Sequence, residues 1–324
     1  MADKLSYATW RLTSEDEQLH PPGPEQLWNE SYYFDFAASD GSVAGYVRLG
    51  LYPTWRRCWY WACAVRPGAA TAIVVDNAIP LPCGRSIQTE SISASQEISR
   101  PLESAYVALD ADAVVLKDRA AAYGDLTALP SIRLAFELEW VTFGGVYPYR
   151  MIPRYEIPCR VTGTIRIGAD RLTVDGWGER DHSWGVRDWW KTSWLWSAGR
   201  IGDGTAFHGM QANNAPLISP SFTVTPEGRL RRLTGFSAAT DFGPDQFPRR
   251  STMRLSGTCI AAVPLSFAAV GLISPEGQVS HFPRALCRYE VDDGKHGYGW
   301  TEWNQPTGWR DHDWSGRPAR SRRG

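Results

Sequence analysis

The sequence predicts an all-β protein built as two tandem antiparallel β-barrels, and three observations carry that expectation. Thirty glycines and 22 prolines among 324 residues interrupt the chain too often for long helices. Short runs rich in aromatic and β-branched residues alternate with turn signals along most of its length. An aromatic strand, an Asp-Gly turn and a return strand occur at 32–49 and again at 194–211, which suggests two similar halves. Many short strands bounded by turns belong to sandwiches or barrels, and a closed barrel can enclose one small ligand. Two barrels of roughly 150 residues each fit the length.

The first 27 residues are polar and carry Pro21, Pro22 and Pro24, so an irregular lead-in is expected. From Trp28 the pattern turns to strands: Tyr32, Phe34 and Phe36 alternate with Tyr33 and Asp35, Asp40-Gly41 supplies a hairpin turn, and Tyr46–Leu49 returns. Arg57–Val65 is an aromatic strand with Trp59 and Trp61 on one face. Further strands are expected at Ala72–Asp76, Ser91–Ser95 and Ser131–Val141. Arg160–Ile167, a turn at 168–171 and Leu172–Gly176 make a hairpin that runs into an unusual segment, Gly176–Trp190. Beyond it come Trp194–Ser197, the Asp203-Gly204 turn and Thr205–Gln211. Later strands are expected at Leu230–Phe236, Met253–Ala262, Ala268–Ile273, Arg288–Val291 and Tyr298–Trp303, the last two flanking Asp292-Asp293-Gly294-Lys295. The domains are therefore 1–190 and 191–306, followed by a basic disordered tail at 307–324 that carries Arg317, Arg320, Arg322 and Arg323.

Composition narrows the function. A net charge of −1 gives no global field toward nucleic acid or anionic lipid. The longest apolar stretch, Cys259–Ser274, is broken by Pro264 and Gly271 and is too short to span a bilayer. The first residues lack a basic flank followed by an apolar run, so a cytoplasmic location is expected. Six cysteines without a Cys-x-x-Cys pair read as reduced thiols. There is no phosphate-cradling Gly-x-x-x-x-Gly-Lys loop, no Gly-x-Ser-x-Gly elbow and no His-x-x-x-His spacing, so no cofactor and no metal are expected. The oligomeric state is left open.

The segment Gly176–Trp190 holds four tryptophans, three glycines, two arginines, two aspartates, a glutamate, a serine and a histidine. Charged groups beside large rings are costly to bury unless each finds a partner, which marks the segment as a candidate site. Strand alternation extended from Leu172 and Val174 puts Gly176, Gly178, Arg180, His182 and Trp184 on the inner face, with Asp181 and Ser183 opposite. A bulge at either glycine would reverse that phase, so alternation separates Asp181 from Arg180 and His182 without saying which is inside.

The run Trp177-Gly178-Glu179-Arg180-Asp181-His182-Ser183-Trp184-Gly185, followed by Trp194-x-Trp196 and Asp203-Gly204, resembles the signature of the AttH/carotenoid 1,2-hydratase superfamily, and most closely its actinobacterial branch. Gly297–Trp303 is similar to that superfamily's closing strand, and the likeness covers about residues 28 to 304. It implies tandem lipocalin-like (calycin) barrels, with the motif ending the first and the Trp194 strand beginning the second. It also implies a hydrophobic small-molecule ligand (isoprenoid, steroid, polyketide or fatty-acyl), and it makes Asp181 the residue matching the superfamily's proton-donating aspartate. His-Ser after that Asp departs from the hydratase pattern.

The expected activity is hydration, isomerisation or cyclisation of that ligand by cofactor-free proton transfer. Asp181 is the candidate acid, and His182 or Glu302 the candidate partner. Arg180, Trp177, Trp184, Trp194, Trp196, His208, Tyr33 and Trp59 are candidate ligand contacts. Each has a plainer alternative: a carboxylate paired with Arg180 or Arg187 for Asp181, a hydrogen-bonded ring for His182, core packing for the aromatics. The corresponding alternative function is a non-catalytic carrier of a hydrophobic ligand.

Overall fold

Eleven strands form the first of two large antiparallel sheets. They are Trp28–Ala38 (β1), Ala44–Tyr52 (β2), Arg57–Val65 (β3), Thr71–Pro80 (β4), Ser86–Gln88 (β5), Ile92–Arg100 (β6), Ser104–Leu116 (β7), Ser131–Thr142 (β8), Tyr147–Pro148 (β9), Arg154–Ile167 (β10) and Asp170–Val186 (β11). The computed structural model describes residues 10–213, 219–291 and 294–312. The sheet order is β4-β3-β2-β1-β11-β10-β8-β7, and β4 pairs again with β7, which closes the ring. β7 makes closure possible by its length: residues 104–111 pair with β6 while Thr71–Ile73 of β4 meet 114–116. The long inward rows of alternating apolar side chains bury a continuous core, including Phe34, Phe36, Val47, Tyr60, Leu109, Phe136, Leu138 and Trp140.

The glycines of the motif do not reverse the alternation. β10 and β11 stay in register from Arg154↔Ser183 to Ile167↔Asp170, and β1 meets β11 in one register from Trp28↔Val186 to Ala38↔Gly176. A Cβ at Gly176 would stand 2.0 Å from the Ala37 carbonyl oxygen, and one at Gly178 1.9 Å from that of Asp35. Glycine is required because β1 and β11 approach closely, not because the strand bulges.

The chain divides into two compact units. The described residues of the first are 10–66, 70–116 and 127–187; those of the second are 67–69, 117–126, 188–213, 219–291 and 294–312. The second unit contains Trp194–Arg200 (β12), Ala206–Ala212 (β13), Ser221–Val224 (β14), Leu230–Arg232 (β15), Phe236–Phe242 (β16), Pro248–Leu255 (β17), Thr258–Phe267 (β18), Val270–Ile273 (β19), Val279–Phe282 (β20), Arg284–Glu290 (β21) and His296–Pro306 (β22). Its sheet runs β15-β14-β13-β12-β22-β21-β18-β17-β16. Its ends are joined by side chains: Gln211 Oε1 accepts from Ala238 N–H at 2.8 Å, and Ser219 Oγ bonds both the N–H and the carbonyl of Phe236. The fold is thus all-β, as the sequence predicts.

Four local expectations need correction. Leu230–Phe236 is not one strand: β15 ends at Arg232 and β16 begins at Phe236, with Gly235 at positive φ between them. The lead-in is not wholly irregular: Ser14–Glu17 forms a 3₁₀ turn, and Glu17 is fully buried. The span Met253–Ala262 is a hairpin rather than one strand, turning at Ser256 and Gly257, both at positive φ. The expected disordered tail at 307–324 begins too early, since Trp309 is buried edge-on against Phe242. Asp292, Asp293 and the tail arginines lie outside the described residues.

Candidate acid–base site in the first barrel

The phase of β11 sends Arg180, His182 and Trp184 into the first barrel and Asp181 to the opposite face. Register sets their neighbours: β1 brings Glu30 and Tyr32 beside them, and β10 brings Tyr155. The strap Trp10–His20 reaches the same end of the barrel, with Trp10 and Leu12 packed on its apolar core.

Glu17 is the centre of one buried pair. Arg180 Nη1 donates to its two carboxylate oxygens at 2.8 and 3.0 Å, and the Tyr155 hydroxyl donates to Oε1 at 2.6 Å. Burial works against the Arg180 charge, but the Glu17 carboxylate together with the Cys159 and Tyr155 side chains holds the guanidinium's pKa above its usual value. Burial also pushes the Tyr155 hydroxyl well above the usual tyrosine range, so it serves as a donor.

His182 stands beside that pair, 1% exposed. Its Nε2 lies 2.9 Å from Glu30 Oε1, and its Nδ1 lies 2.8 Å from the Asp16 carbonyl and 3.2 Å from the Tyr155 hydroxyl. The ring stacks on Tyr32 at 4.0 Å. Burial holds its pKa below the ordinary histidine value, against the pull of Glu30. Glu30 is itself buried, yet donors from His182 and His20 keep its carboxyl below the usual range. His20 donates its backbone N–H to Glu30, places Nδ1 2.8 Å from the same carboxylate and stacks on Trp184 at 3.6 Å. Chemically this is a histidine oriented by a carboxylate, with a phenol and a guanidinium alongside.

His20, Glu30 and His182 also offer ligand atoms within 4.8 Å of one another, a grouping able to hold a metal ion. Their hydrogen bonds already satisfy the carboxylate without one, since both histidines and the His20 backbone converge on Glu30.

The other candidates lie elsewhere. Asp181, 6% exposed, faces away from the barrel interior and pairs with Arg154 at 2.9 Å; Arg154 also binds Glu156 at 2.6 Å. Trp177 shares that face, edge-on to Phe143 and under the Arg160 guanidinium. Tyr33 donates to Asp35 at 3.1 Å, and Trp59 packs with Tyr52, Trp55 and Trp61. In the second unit, Glu302 is held by Arg284 and by Trp194 Nε1 at 3.0 Å. Trp196 meets His208 edge-on, and His208 stacks on Phe222. The inner face of that sheet is a different set: Tyr289, Ser197 and Thr301 share hydrogen bonds, and Trp303 donates to Thr240 and Ser251. Of the three candidate catalytic residues, therefore, only His182 faces a barrel interior. Arg180 and Trp184 are the candidate contacts that accompany it.

Glu17, Glu30, Tyr155 and His20 were not singled out from the sequence. Glu30 and Tyr155 become legible once β1 and β10 are registered on His182. Glu17 carries only the weak signal of an acidic run at 15–17, and its partner is 163 residues away.

Residues 13–307 match DUF7064, a domain of unknown function, and the chain belongs to that family. No curated protein matches the chain in sequence. Its fold is similar to that of a Nitrosomonas europaea protein assigned as AttH, at 13% identity and a TM-score of 0.58, over 89% of this chain and 95% of that one. It is similar to kievitone hydratase from Nectria haematococca at 9% identity and a TM-score of 0.54, over 91% and 93%. It is also similar to CghA solved with Sch210972, at 12% identity and a TM-score of 0.53, over 89% and 94%. At such identities the likeness is one of fold.

Proposed function

We propose that this DUF7064 protein takes a hydrophobic small molecule into its first barrel and moves a proton on it with His182, oriented by Glu30, without a cofactor. The observation that carries this is the placement of His182: an imidazole inside an aromatic barrel, its Nε2 fixed on a carboxylate and its Nδ1 turned toward Tyr155 and the strap. Both ring nitrogens face acceptors, Nε2 the Glu30 carboxylate and Nδ1 the neutral Asp16 carbonyl. With Nε2–H kept on the carboxylate, Nδ1 is the nitrogen that would take or give a proton once the carbonyl contact is broken, and burial keeps the ring less basic than an ordinary histidine. Tyr32, stacked on the ring, and Trp184, tilted against it, give the imidazole an aromatic surround. Hydration, isomerisation and cyclisation all need such a transfer. The fold shared with kievitone hydratase supports hydration among them, and we read the family as a branch of the AttH/carotenoid 1,2-hydratase superfamily. Asp181, paired with Arg154 on the other face of the same strand, becomes a positioning residue that steadies β11.

The second reading, a non-catalytic carrier, draws on the ion pairs that occupy both Asp181 and Glu302. The two readings separate in heavy water. The hydrophobic molecule that co-purifies with the protein is identified by mass spectrometry and incubated with wild type and His182→Gln in D2O. Wild type is expected to place deuterium on a carbon of that molecule or to convert it, and His182→Gln to do neither. Equal incorporation by a folded His182→Gln variant would remove His182 from the chemistry. No incorporation or turnover by wild type would leave the carrier reading.

A further inference from the structure

Glu17 is placed where a ligand's own carboxylate would be expected. Its side chain has no exposed surface, and its three hydrogen bonds come from Arg180 and Tyr155 inside the barrel. Such a carboxylate site, charged guanidinium plus phenol in an apolar surround, is costly to assemble and strong once filled. It is also larger than Glu17 needs. Among the described residues the buried Nε and Nη2 atoms of Arg180 find no nitrogen or oxygen acceptor, and only the weakly accepting Cys159 thiol lies beside the guanidinium, so it retains donors beyond the one that Glu17 uses.

The segment that delivers Glu17 is held by side-chain contacts rather than by a backbone ladder. Ser14–Glu17 is a single 3₁₀ turn that joins neither sheet. Besides Glu17, its tethers are side-chain contacts: Arg150 donates to the Trp10 carbonyl at 3.3 Å, Arg85 to that of Glu17 at 2.8 Å and Tyr32 to that of Gln18 at 3.2 Å, His182 meets the Asp16 carbonyl, His20 binds Glu30 and stacks on Trp184, and Trp10 meets Trp184 edge-on. Glu15, Gln18 and Leu19 are exposed around it. What the strap inserts has a recognisable chemical outline: one carboxylate on Arg180 and Tyr155, with the apolar Trp10 and Leu12 packed against the same barrel core. A hydrophobic acid offers the same outline in one molecule. The strap also supplies the Asp16 carbonyl to His182 Nδ1, so its departure would free the atom from which proton transfer is expected.

We propose that Arg180 and Tyr155 form a receptor for the carboxylate of an amphipathic hydrophobic acid, and that Glu17 occupies this receptor until such a ligand displaces it. The proposal rests on the first barrel being the ligand site, and it adds the ligand's chemical class and an autoinhibitory contact. Displacement lowers apparent affinity by the fraction of molecules in which the strap is open. Removing the Glu17 carboxylate must therefore strengthen binding of an acid and leave an uncharged analogue unaided.

The test is calorimetric titration of the full chain with dodecanoate and, separately, with 1-dodecanol. Glu17→Ala is expected to bind dodecanoate at least about tenfold more tightly than wild type, while the affinity for dodecanol changes by less than about threefold. In Glu17→Ala/Arg180→Met, which leaves neither charge unpaired, the preference for the acid should vanish. Should Glu17→Ala fail to fold, Glu17→Gln keeps the side chain's shape and carries the same comparison. In wild type, saturating dodecanoate should raise hydrogen exchange in residues 11–20. The proposal is overturned if the Glu17 variant binds dodecanoate no better than wild type does, or no better than it binds dodecanol, or if dodecanoate leaves exchange in the strap unchanged. These outcomes are independent of turnover. Dodecanoate binding with full deuterium incorporation by His182→Gln would sink only the catalytic reading, and the reverse result only this one.

Discussion

The two barrels differ in how they close and in what they enclose. The first closes by a backbone ladder between β4 and β7, and its interior holds the ionisable set Glu17, Arg180, Tyr155, His182 and Glu30. In the second, side chains of Gln211 and Ser219 bridge the ends of the sheet, and the inner face carries the neutral hydroxyls of Ser197, Tyr289 and Thr301. Their most charged residues behave differently as well: Glu302 and Arg284 of the second unit pair on the face opposite Thr301 and Trp303. Burying charge inside a barrel is costly unless every member is paired. A wall closed by a backbone ladder can hold those pairs in register, whereas a seam bridged by side chains suits a neutral network. On the function proposed above, proton transfer belongs to the first barrel, and the inner face of the second carries only a neutral hydrogen-bond network.

The largest expected effect breaks the charged interior of the first barrel. Glu17→Ala leaves the Arg180 guanidinium buried without its carboxylate, and Arg180→Met leaves Glu17 likewise; each should cost about 3–5 kcal/mol in urea unfolding. The double replacement should recover most of that loss, because it removes both charges and fills the space with apolar atoms. Additive losses in the double variant would show that the two groups do not act as a pair. The same cycle on Arg284 and Glu302 provides the contrast from the second unit, where Trp194 Nε1 remains as a donor to the carboxylate when Arg284 is lost.

A smaller effect probes closure. Gln211→Ala removes an amide that stands in for a peptide group between β13 and β16, and it leaves the N–H of Ala238 without its partner. A loss of about 1–3 kcal/mol is expected. Hydrogen exchange should rise first at Phe236–Ala238, while Thr71–Ile73 of the laddered first barrel stay protected. Equal loosening of both seams would mean that the two closures do not differ in strength.

The contrast between the barrels was only partly legible in the sequence. Alternation and Asp-Gly turns located β1, β2, β10, β11, β12 and β13, because side-chain period and turn chemistry are local properties. The phase of β11 could also be written down, but not decided: a glycine can mark a bulge or a close approach, and only the register of Ala37 and Asp35 against Gly176 and Gly178 distinguishes them. The same phase put Asp181 on the far face, where Arg154 waits from a neighbouring strand that nothing local announces. Trp59, Trp196 and His208 read as pocket residues because aromatic strands look alike on both faces; the inward rows hold Tyr32, Phe34 and Tyr60 in the first barrel, and Ser197, Tyr289 and Trp303 in the second. Glu17 was illegible for a simpler reason: a polar, proline-bearing lead-in gives no hint that one of its carboxylates is buried.

The smallest effect is a pH dependence that should belong to the first barrel. Burial lowers the pKa of His182 in the folded state, so protons favour the unfolded chain, where the imidazole titrates near about 6.5. The stability contributed by the neutral ring is therefore present above that pH and lost as the pH falls below it, by at most about 1.4 kcal/mol per pH unit. Glu30 acts in the same direction at lower pH: its folded pKa is lowered, so its contribution is present above the ordinary carboxylate range and disappears as the pH drops through its folded value. His281 of the second unit is also lowered by burial and remains in every variant, so the difference between two curves is the informative quantity. Urea midpoints of wild type and His182→Gln, measured from pH 8 to pH 5.5, should converge as the pH falls, since only wild type carries the His182 step. Parallel curves across that range would show that the buried imidazole is not the group that titrates, and the proton-transfer role proposed for it would lose its physical basis.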